Sequence, residues 1–342
     1  MTAVPRDLDT EWTRAVRALS GSAEICLACH VRPDGDALGS MLAVALALAG
    51  RGGPARVIAS FGDQPFEVPA ILRFLPGQSL LSPPDTYPRS PQVMVTFDAA
   101  SQDRLGVLEP IAARASELIV LDHHASNTSF GSVRLVDPAA AATAVLAYEL
   151  IERLGLPLTR DVAMCLYAGI VTDTGSFKYE ATTPLVHQIA ATLLATGIDA
   201  GAVSRELWDR APFGYLGMLS ASLGRAVLEP AAAAGTGLVW TTVTRADRAA
   251  GGLGLDAAEG VIDVLRRTDE AEVAVVLKED DAGRWQVSAR SKRIADVGRA
   301  CTALGGGGHV RAAGFTASGT TQQVMAAMRE QLDLAVLAGS GR

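Results

Sequence analysis

EICLACHVRPDGDALGSMLAVALALAG, residues 24–50, carries two messages that cannot both hold. Cys26-x-x-Cys29-His30 has the spacing of a c-type haem tether. His30-x-x-x-Asp34-x-Asp36 sets three metal-binding side chains in a row. EICLACH reads as a buried strand, in which Cys26 and Cys29 point to opposite faces. A helix starts near Asp36 and glycine ends it. Haem attachment also needs an oxidising compartment, whereas Cys26, Cys29, Cys165 and Cys301 read as reduced thiols in small core positions. A strand, a tight turn and a helix open an α/β fold.

Outward from this stretch the alternation continues. Residues 9–20 form a leading helix, with Leu8, Trp12, Val16 and Leu19 near helical spacing. ARVIAS (55–60), VMVTFDAA (93–100) and ELIVLDHH (117–124) are strands, and RLGVLEPIAARAS (104–116) is a helix. The expected first domain, residues 1–200, is a parallel sheet with helices on both faces. Its polar residues His30, Asp98, Asp122 and His123 then fall at the carboxyl ends of strands, where open α/β sheets bind ligands. AMCLYAGIVTDTGSF (163–177) is a helix broken by a polar turn that carries Asp173. Residues 201–235 read as a helical linker, and the Ala/Gly stretch EPAAAAGTG (229–237) as a linker or hairpin region. A second, smaller α/β domain, 236–342, runs through LVWTTVT, AEVAVVLKED, RWQVSARS and the glycine loop GGGGHVRAAGF (305–315).

The 342 residues suit two domains. A net charge of −7 argues against a protein that coats long duplex nucleic acid, and it permits small anionic substrates in a pocket lined by metal ions or arginines. Only 3 of 30 basic residues are lysine, so scattered arginines carry little information. The N-terminus lacks a basic-then-apolar leader. MLAVALALAG is shorter than the roughly 20 residues of a membrane span. The expectation is a cytoplasmic protein with no membrane partner.

Two carboxylates and an imidazole without thiolate favour Mn²⁺ or Mg²⁺ over structural zinc. The alternative for His30, Asp34 and Asp36 is a helix N-cap by Asp36 beside a satisfied histidine. Other segments weigh against coincidence. Asp98 follows a strand, Asp122, His123 and His124 follow another, and Asp173 sits in a turn. Three of the five histidines lie in these segments, and a fourth, His309, lies in the glycine loop. The fifth, His187, reads as a partly buried helix residue. Arg104 has two readings, a surface helix arginine or a contact to a substrate phosphate. Gly305 to Gly308 let backbone amides approach a ligand closely. Arg290 ends a strand, where it can pair with a phosphate.

HVRPDGDALGS, FDAA, LDHHASN and DTGSF, in that order, resemble the four motifs of the DHH phosphoesterase family, and GGGGHVRAAGF resembles the DHHA1 signature. The resemblance covers almost the whole chain. It implies two divalent ions, usually Mn²⁺, with Mg²⁺ or Co²⁺ as substitutes. His30 and Asp34 would bind one ion, Asp36, His123 and Asp173 the other, and Asp98 both. Four aspartates without ions repel, so the cation-free site is expected to be disordered or to carry protons. His124 would face the scissile phosphate as a catalytic residue. Asp122 would fix an imidazole or the loop, with a plain turn carboxylate as its alternative. Ser126 and Asn127 would help hold phosphate or that loop. Gly307, Gly308, His309 and Arg311, with Arg290 and Arg104, would bind substrate, in a cleft whose hinge is the linker.

The implied activity is hydrolysis of short nucleotide substrates by metal-activated water. These are oligoribonucleotides of a few residues, pApA or cyclic di-AMP, and phosphoadenosine phosphate. The size fits the stand-alone oligoribonuclease and phosphoadenosine-phosphate phosphatase branch. Family II pyrophosphatases share the first-domain motifs but differ in the second domain. An exopolyphosphatase or other small-phosphate hydrolase is the alternative, and an inactive nucleotide-binding regulator is the alternative of another class. A homodimer is a family expectation with no signature in the sequence.

Overall fold

The computed structural model describes residues 8–52 and 55–336. The chain divides into two compact units, the first ending at Arg210 and the second starting at Ala211.

In the first unit the order is α1 (Asp9–Gly21), β1 (Glu24–Cys29), α2 (Gly35–Gly50), β2 (Arg56–Phe61), β3 (Val93–Phe97), α3 (Glu109–Ala112), β4 (Glu117–Asp122) and β5 (Val133–Val136). Four helices follow: α4 (Thr143–Arg153), α5 (Arg160–Asp173), α6 (Pro184–Ala195) and α7 (Ala200–Trp208). The strands form one parallel sheet in the order β2-β1-β3-β4-β5. Strand residues alternate between two cores, as the two-residue period requires. Ile25, Leu27, Cys29, Val95, Phe97, Ile119 and Leu121 pack into the larger core, shared with α1, α2, α4 and α5. Cys26, Ala28, Met94, Leu118 and Val120 pack into the smaller one, with Leu105, Leu108 and Ile111. Cys26 and Cys29 are thus free, buried and on opposite faces, which rules out one haem tethered to both. Burial pushes the Cys26 thiol up to about 12.

One expected helix is different in form. Residues 102–108 are 3₁₀ turns broken at Gly106 (φ +55°), and only the single turn of α3 is α-helical. The smaller core therefore has a thin cover. Among the described residues no single helix is long and apolar enough to cross a membrane.

The second unit contains α8 (Gly214–Leu223), β6 (Val227–Glu229), α9 (Ala232–Gly235), β7 (Leu238–Val243), α10 (Arg245–Ala250) and α11 (Val261–Leu265). It continues with β8 (Val273–Glu279), β9 (Trp285–Ser291), α12 (Val297–Ala303), β10 (Gly307–His309), β11 (Ala312–Ala317) and α13 (Thr321–Ala335). Its mixed sheet runs β10-β11-β9-β8-β7-β6, with only β7 and β8 parallel. Val275, Leu277, Val287, Ala289 and Phe315 face a core with α12 and α13, and Val239 and Val276 face one with α8 and α11.

Candidate metal centre

The strand order of the first sheet reverses at β1, whose neighbours are β2 and β3. Open α/β sheets bind ligands beyond the carboxyl ends of the strands at such a reversal, here those of β1 and β3. His30 follows β1, Asp98 follows β3, and Asp122, His123 and His124 lie at the end of β4. Asp34 and Asp36 come from the start of α2, and Asp173 is the last residue of α5.

These side chains converge. His30 Nε2 lies 3.4 Å from Asp98 Oδ2 and 3.9 Å from Asp34 Oδ1. His123 Nε2 lies 3.0 Å from Asp173 Oδ2, 3.5 Å from Asp98 Oδ1 and 3.9 Å from Asp36 Oδ2. The two oxygens of Asp98 therefore face two different imidazoles. Asp98 itself has φ +57°, a conformation that residues other than glycine adopt at some cost and that collects at functional positions.

Local hydrogen bonds fix each member. Asp34, not Asp36, is the N-cap of α2: its Oδ1 accepts from Asp36 N and Ala37 N, both at 3.0 Å. Asp36 turns inward, fully buried. Its Oδ1 accepts from Ser40 Oγ at 3.1 Å and Ala144 N at 2.8 Å, and its Oδ2 from Thr143 N at 2.6 Å. Thr143 Oγ1 donates to Asp98 Oδ1 at 2.9 Å. The helices α2 and α5 approach closely enough for this only because Gly39 and Gly169 lack side chains. A Cβ on Gly39 would lie 2.5 Å from Cys165 O, and one on Gly169 would lie 2.9 Å from Asp36 Oδ1.

The imidazoles are oriented through Nδ1. His30 Nδ1 donates to Val31 O at 2.8 Å and His123 Nδ1 to Ala140 O at 3.1 Å, which turns each Nε2 to the carboxylates. His124 Nδ1 donates to Asp122 Oδ1 at 2.7 Å, and Asn127 Nδ2 holds Asp122 Oδ2 at 2.6 Å. Asp122 thus fixes both an imidazole and the loop. Arg104, on the 3₁₀ segment rather than a surface helix, is half-buried, with Nη2 3.4 Å from His30 Nδ1. Burial lowers its pKa, with the charge of Arg32 adding to the effect. His187 is exposed and stacks on Phe177 at 5.0 Å; it is not the partly buried residue expected.

The electrostatics follow from this crowding. Burial and the neighbouring Asp98 and Asp173 raise Asp36 well above the usual carboxylate range. Burial also raises Asp173, against the opposing pull of His123. Burial works against ionised Asp98, but the hydrogen bond with His30 and the charges of His123 and His124 outweigh it and hold Asp98 low. For the imidazoles, burial opposes the charge and the carboxylates prevail. Asp98 raises His30, Asp173 raises His123, and Asp122 raises His124. The cluster offsets its own negative charge with protons, which a cation would displace.

The donor set fits divalent metal ions. His30, Asp34 and Asp98 offer ligand atoms within 4.8 Å of one another, and so do Asp36, Asp98 and His123, with Asp98 common to both groups. Oxygen and imidazole donors without sulfur suit Mn²⁺ or Mg²⁺.

In the second unit, the expected glycine loop is partly strand. Gly307, Gly308 and His309 form β10 and pair with Gly314, Ala313 and Ala312 of β11. Arg290 lies opposite the same Ala312 on the other side of β11. Cross-strand partners share a face, so Arg290 and His309 flank Ala312 on one side of the sheet. A Cβ on Gly307 would meet nothing within 4 Å, whereas one on Gly308 would lie 2.6 Å from Ala312 O. Gly307 borders open space, and Gly308 permits the hairpin. Arg311, in the two-residue turn of this hairpin, donates from Nη1 to Ala295 O at 3.0 Å.

Ser40 and Thr143 were not singled out by sequence reasoning. Both look like ordinary helix residues, and their roles depend on partners distant in sequence or hidden inside α2.

An α/β unit with a histidine-aspartate cluster at its switch point, followed by a second mixed-sheet unit, defines the class. Residues 24–170 match the DHH family, N-terminal domain, and residues 248–336 match the DHHA1 domain. The chain belongs to the DHH family. It is 34% identical over 313 residues to the bifunctional oligoribonuclease and PAP phosphatase NrnA of Thermus thermophilus, covering 90% of each chain. It is 27% identical over 200 residues to the protein of the same name from Bacillus subtilis, 58% of this chain and 61% of that one. The crystal structure of an exopolyphosphatase-related protein from Bacteroides fragilis superposes with a TM-score of 0.84 at 22% identity, over 95% of this chain and 96% of that one. That likeness shows a common fold.

Proposed function

We propose that the chain is a two-metal phosphoesterase of short nucleotide substrates: oligoribonucleotides of a few residues, pApA or cyclic di-AMP, and phosphoadenosine phosphate. The observation that carries the reading is Asp98, whose Oδ2 faces His30 at 3.4 Å and whose Oδ1 faces His123 at 3.5 Å. The names of the Thermus and Bacillus relatives support the substrate class.

In this reading His30 and Asp34 would hold one Mn²⁺, Asp36, His123 and Asp173 would hold another, and Asp98 would serve both. When bound, two such ions would supply a water activated at neutral pH and positive charge against the phosphate oxygens. His124, its Nδ1 committed to Asp122, carries the proton for the leaving oxygen on Nε2. Arg104, beside His30, binds a phosphate oxygen. The second unit binds the rest of the substrate through Arg290, Gly307, Gly308, His309 and Arg311.

The test is hydrolysis of bis-para-nitrophenyl phosphate with and without Mn²⁺, followed by a panel of pApA, cyclic di-AMP, phosphoadenosine phosphate and a short RNA. Folded protein that binds a nucleotide of the panel but hydrolyses nothing with Mn²⁺ would be a regulator and would refute the reading.

A further inference from the structure

Helix α4 starts poorly by its own sequence. Its N-cap is Ala142, which makes no side-chain cap hydrogen bond, and alanine is a weak residue there. The first amides of the helix go instead to Asp36, from Thr143 N at 2.6 Å and Ala144 N at 2.8 Å. The backbone of Thr143 therefore completes the cap, and the helix has no need of its hydroxyl. That hydroxyl, fully buried, donates to Asp98 Oδ1 at 2.9 Å.

Asp98 is a carboxylate that needs holding. Its backbone is left-handed at φ +57°, and its two oxygens face different imidazoles. Oδ2 is held by His30, so the placement of Oδ1 is what a further donor can set. Thr143 grips only Oδ1, the oxygen on the side of His123. A donor to Oδ1 keeps that oxygen where a cation on the His123 side would take it, and its loss leaves Oδ2 with His30.

We propose that Thr143 is a positioning residue that sets the cation affinity of the His123 side of the cluster, acting through Asp98 Oδ1. The proposal rests on the two-metal reading above and adds to it an asymmetry between the two sites.

The experiment is Mn²⁺ titration of the full chain, followed by calorimetry and by the electron paramagnetic resonance of free Mn²⁺. The wild-type chain should bind two ions. Thr143→Val keeps the backbone amide and the side-chain shape and removes the donor. It should weaken one site by about 10- to 100-fold and leave the other unchanged. Thr143→Ser should restore the lost affinity. In a His30→Ala background the remaining site should show the full loss; in a His123→Ala background it should show none. Unchanged titration of Thr143→Val, equal losses at both sites, or no rescue by serine would overturn the proposal. If the valine variant does not fold, Thr143→Ala against Thr143→Ser decides by the same measure. A wild-type chain that binds fewer than two ions would remove the two-metal reading itself, and that result is read before any variant is made.

Discussion

Asp122 holds His124 from behind: its Oδ1 accepts the Nδ1 proton at 2.7 Å, while Asn127 pins its other oxygen at 2.6 Å. The carboxylate raises the pKa of the imidazole against the effect of burial. If His124 acts as the acid, this keeps it protonated to higher pH. Asp122→Asn should lower kcat by about 10- to 100-fold and move the alkaline limb of the kcat profile to lower pH. Mn²⁺ affinity should stay the same. An unmoved alkaline limb would remove His124 from the acid role.

Asp98→Ala should have a larger effect, because both cation sites lose a ligand. Loss of several kcal/mol of charge stabilisation corresponds to a fall of at least about 10³-fold in kcat. The Mn²⁺ titration should lose both sites in the same variant. A normal kcat would sink the bridging role.

The cation-free protein should become less stable as pH rises from the free-imidazole value, about 6.5, into the alkaline range. His30, His123 and His124 have raised pKa values, so their stabilisation is complete below the unfolded value and is lost as pH rises through the folded values. Asp36 and Asp173, raised mainly by burial, act in the same direction, since the folded site holds their protons more firmly than the unfolded chain does. Asp98, held low, opposes this only in strong acid, where its stabilisation is lost as pH falls through the folded value. Calorimetric Tm in EDTA should therefore fall across the range. In saturating Mn²⁺ the fall should vanish or reverse, because the ions compete with protons for the same atoms. A Tm in EDTA that is flat or rises would contradict the assigned shifts.

Two glycine substitutions should act in opposite directions. A Cβ at residue 169 would lie 2.9 Å from Asp36 Oδ1 and 2.8 Å from Ala144 Cβ. Gly169→Ala should cost about 1–3 kcal/mol in urea unfolding and weaken Mn²⁺ binding as well. Gly217, exposed inside α8, has nothing within 4 Å of such a Cβ. Gly217→Ala should add about 0.5–1 kcal/mol and leave Mn²⁺ binding alone. Similar losses in both variants would reject the close-packing account.

His309→Ala and Arg311→Ala should raise KM for dinucleotides far more than for bis-para-nitrophenyl phosphate, which has no nucleotide part for the second unit to bind. Equal effects on the two substrates would take these residues out of substrate binding.

The sequence made the first sheet legible because its strands are short apolar runs, each ending at a polar residue. Local signals of this kind survive in one dimension. The cluster was legible for the same reason, since histidine and aspartate at several strand ends are hard to collect by chance. The rest depended on distance. Asp36 reads as a cap for its own helix, yet it caps one that starts at residue 143, a partnership no local pattern contains. Residues 102–108 have helical composition, but Gly106 in a left-handed conformation breaks them into 3₁₀ turns. The glycine run reads as a loop, and only pairing with β11 makes part of it strand.

The reach of Asp36 has a consequence for the chain during its synthesis. A carboxylate that ends fully buried waits for amides that are made more than a hundred residues later. Until those segments leave the ribosome, α2 has an apolar flank and an uncompensated acid at its start, and it cannot settle. The first unit should therefore stay protease-sensitive on stalled nascent chains that end before α5, and become resistant in one step once α5 has emerged.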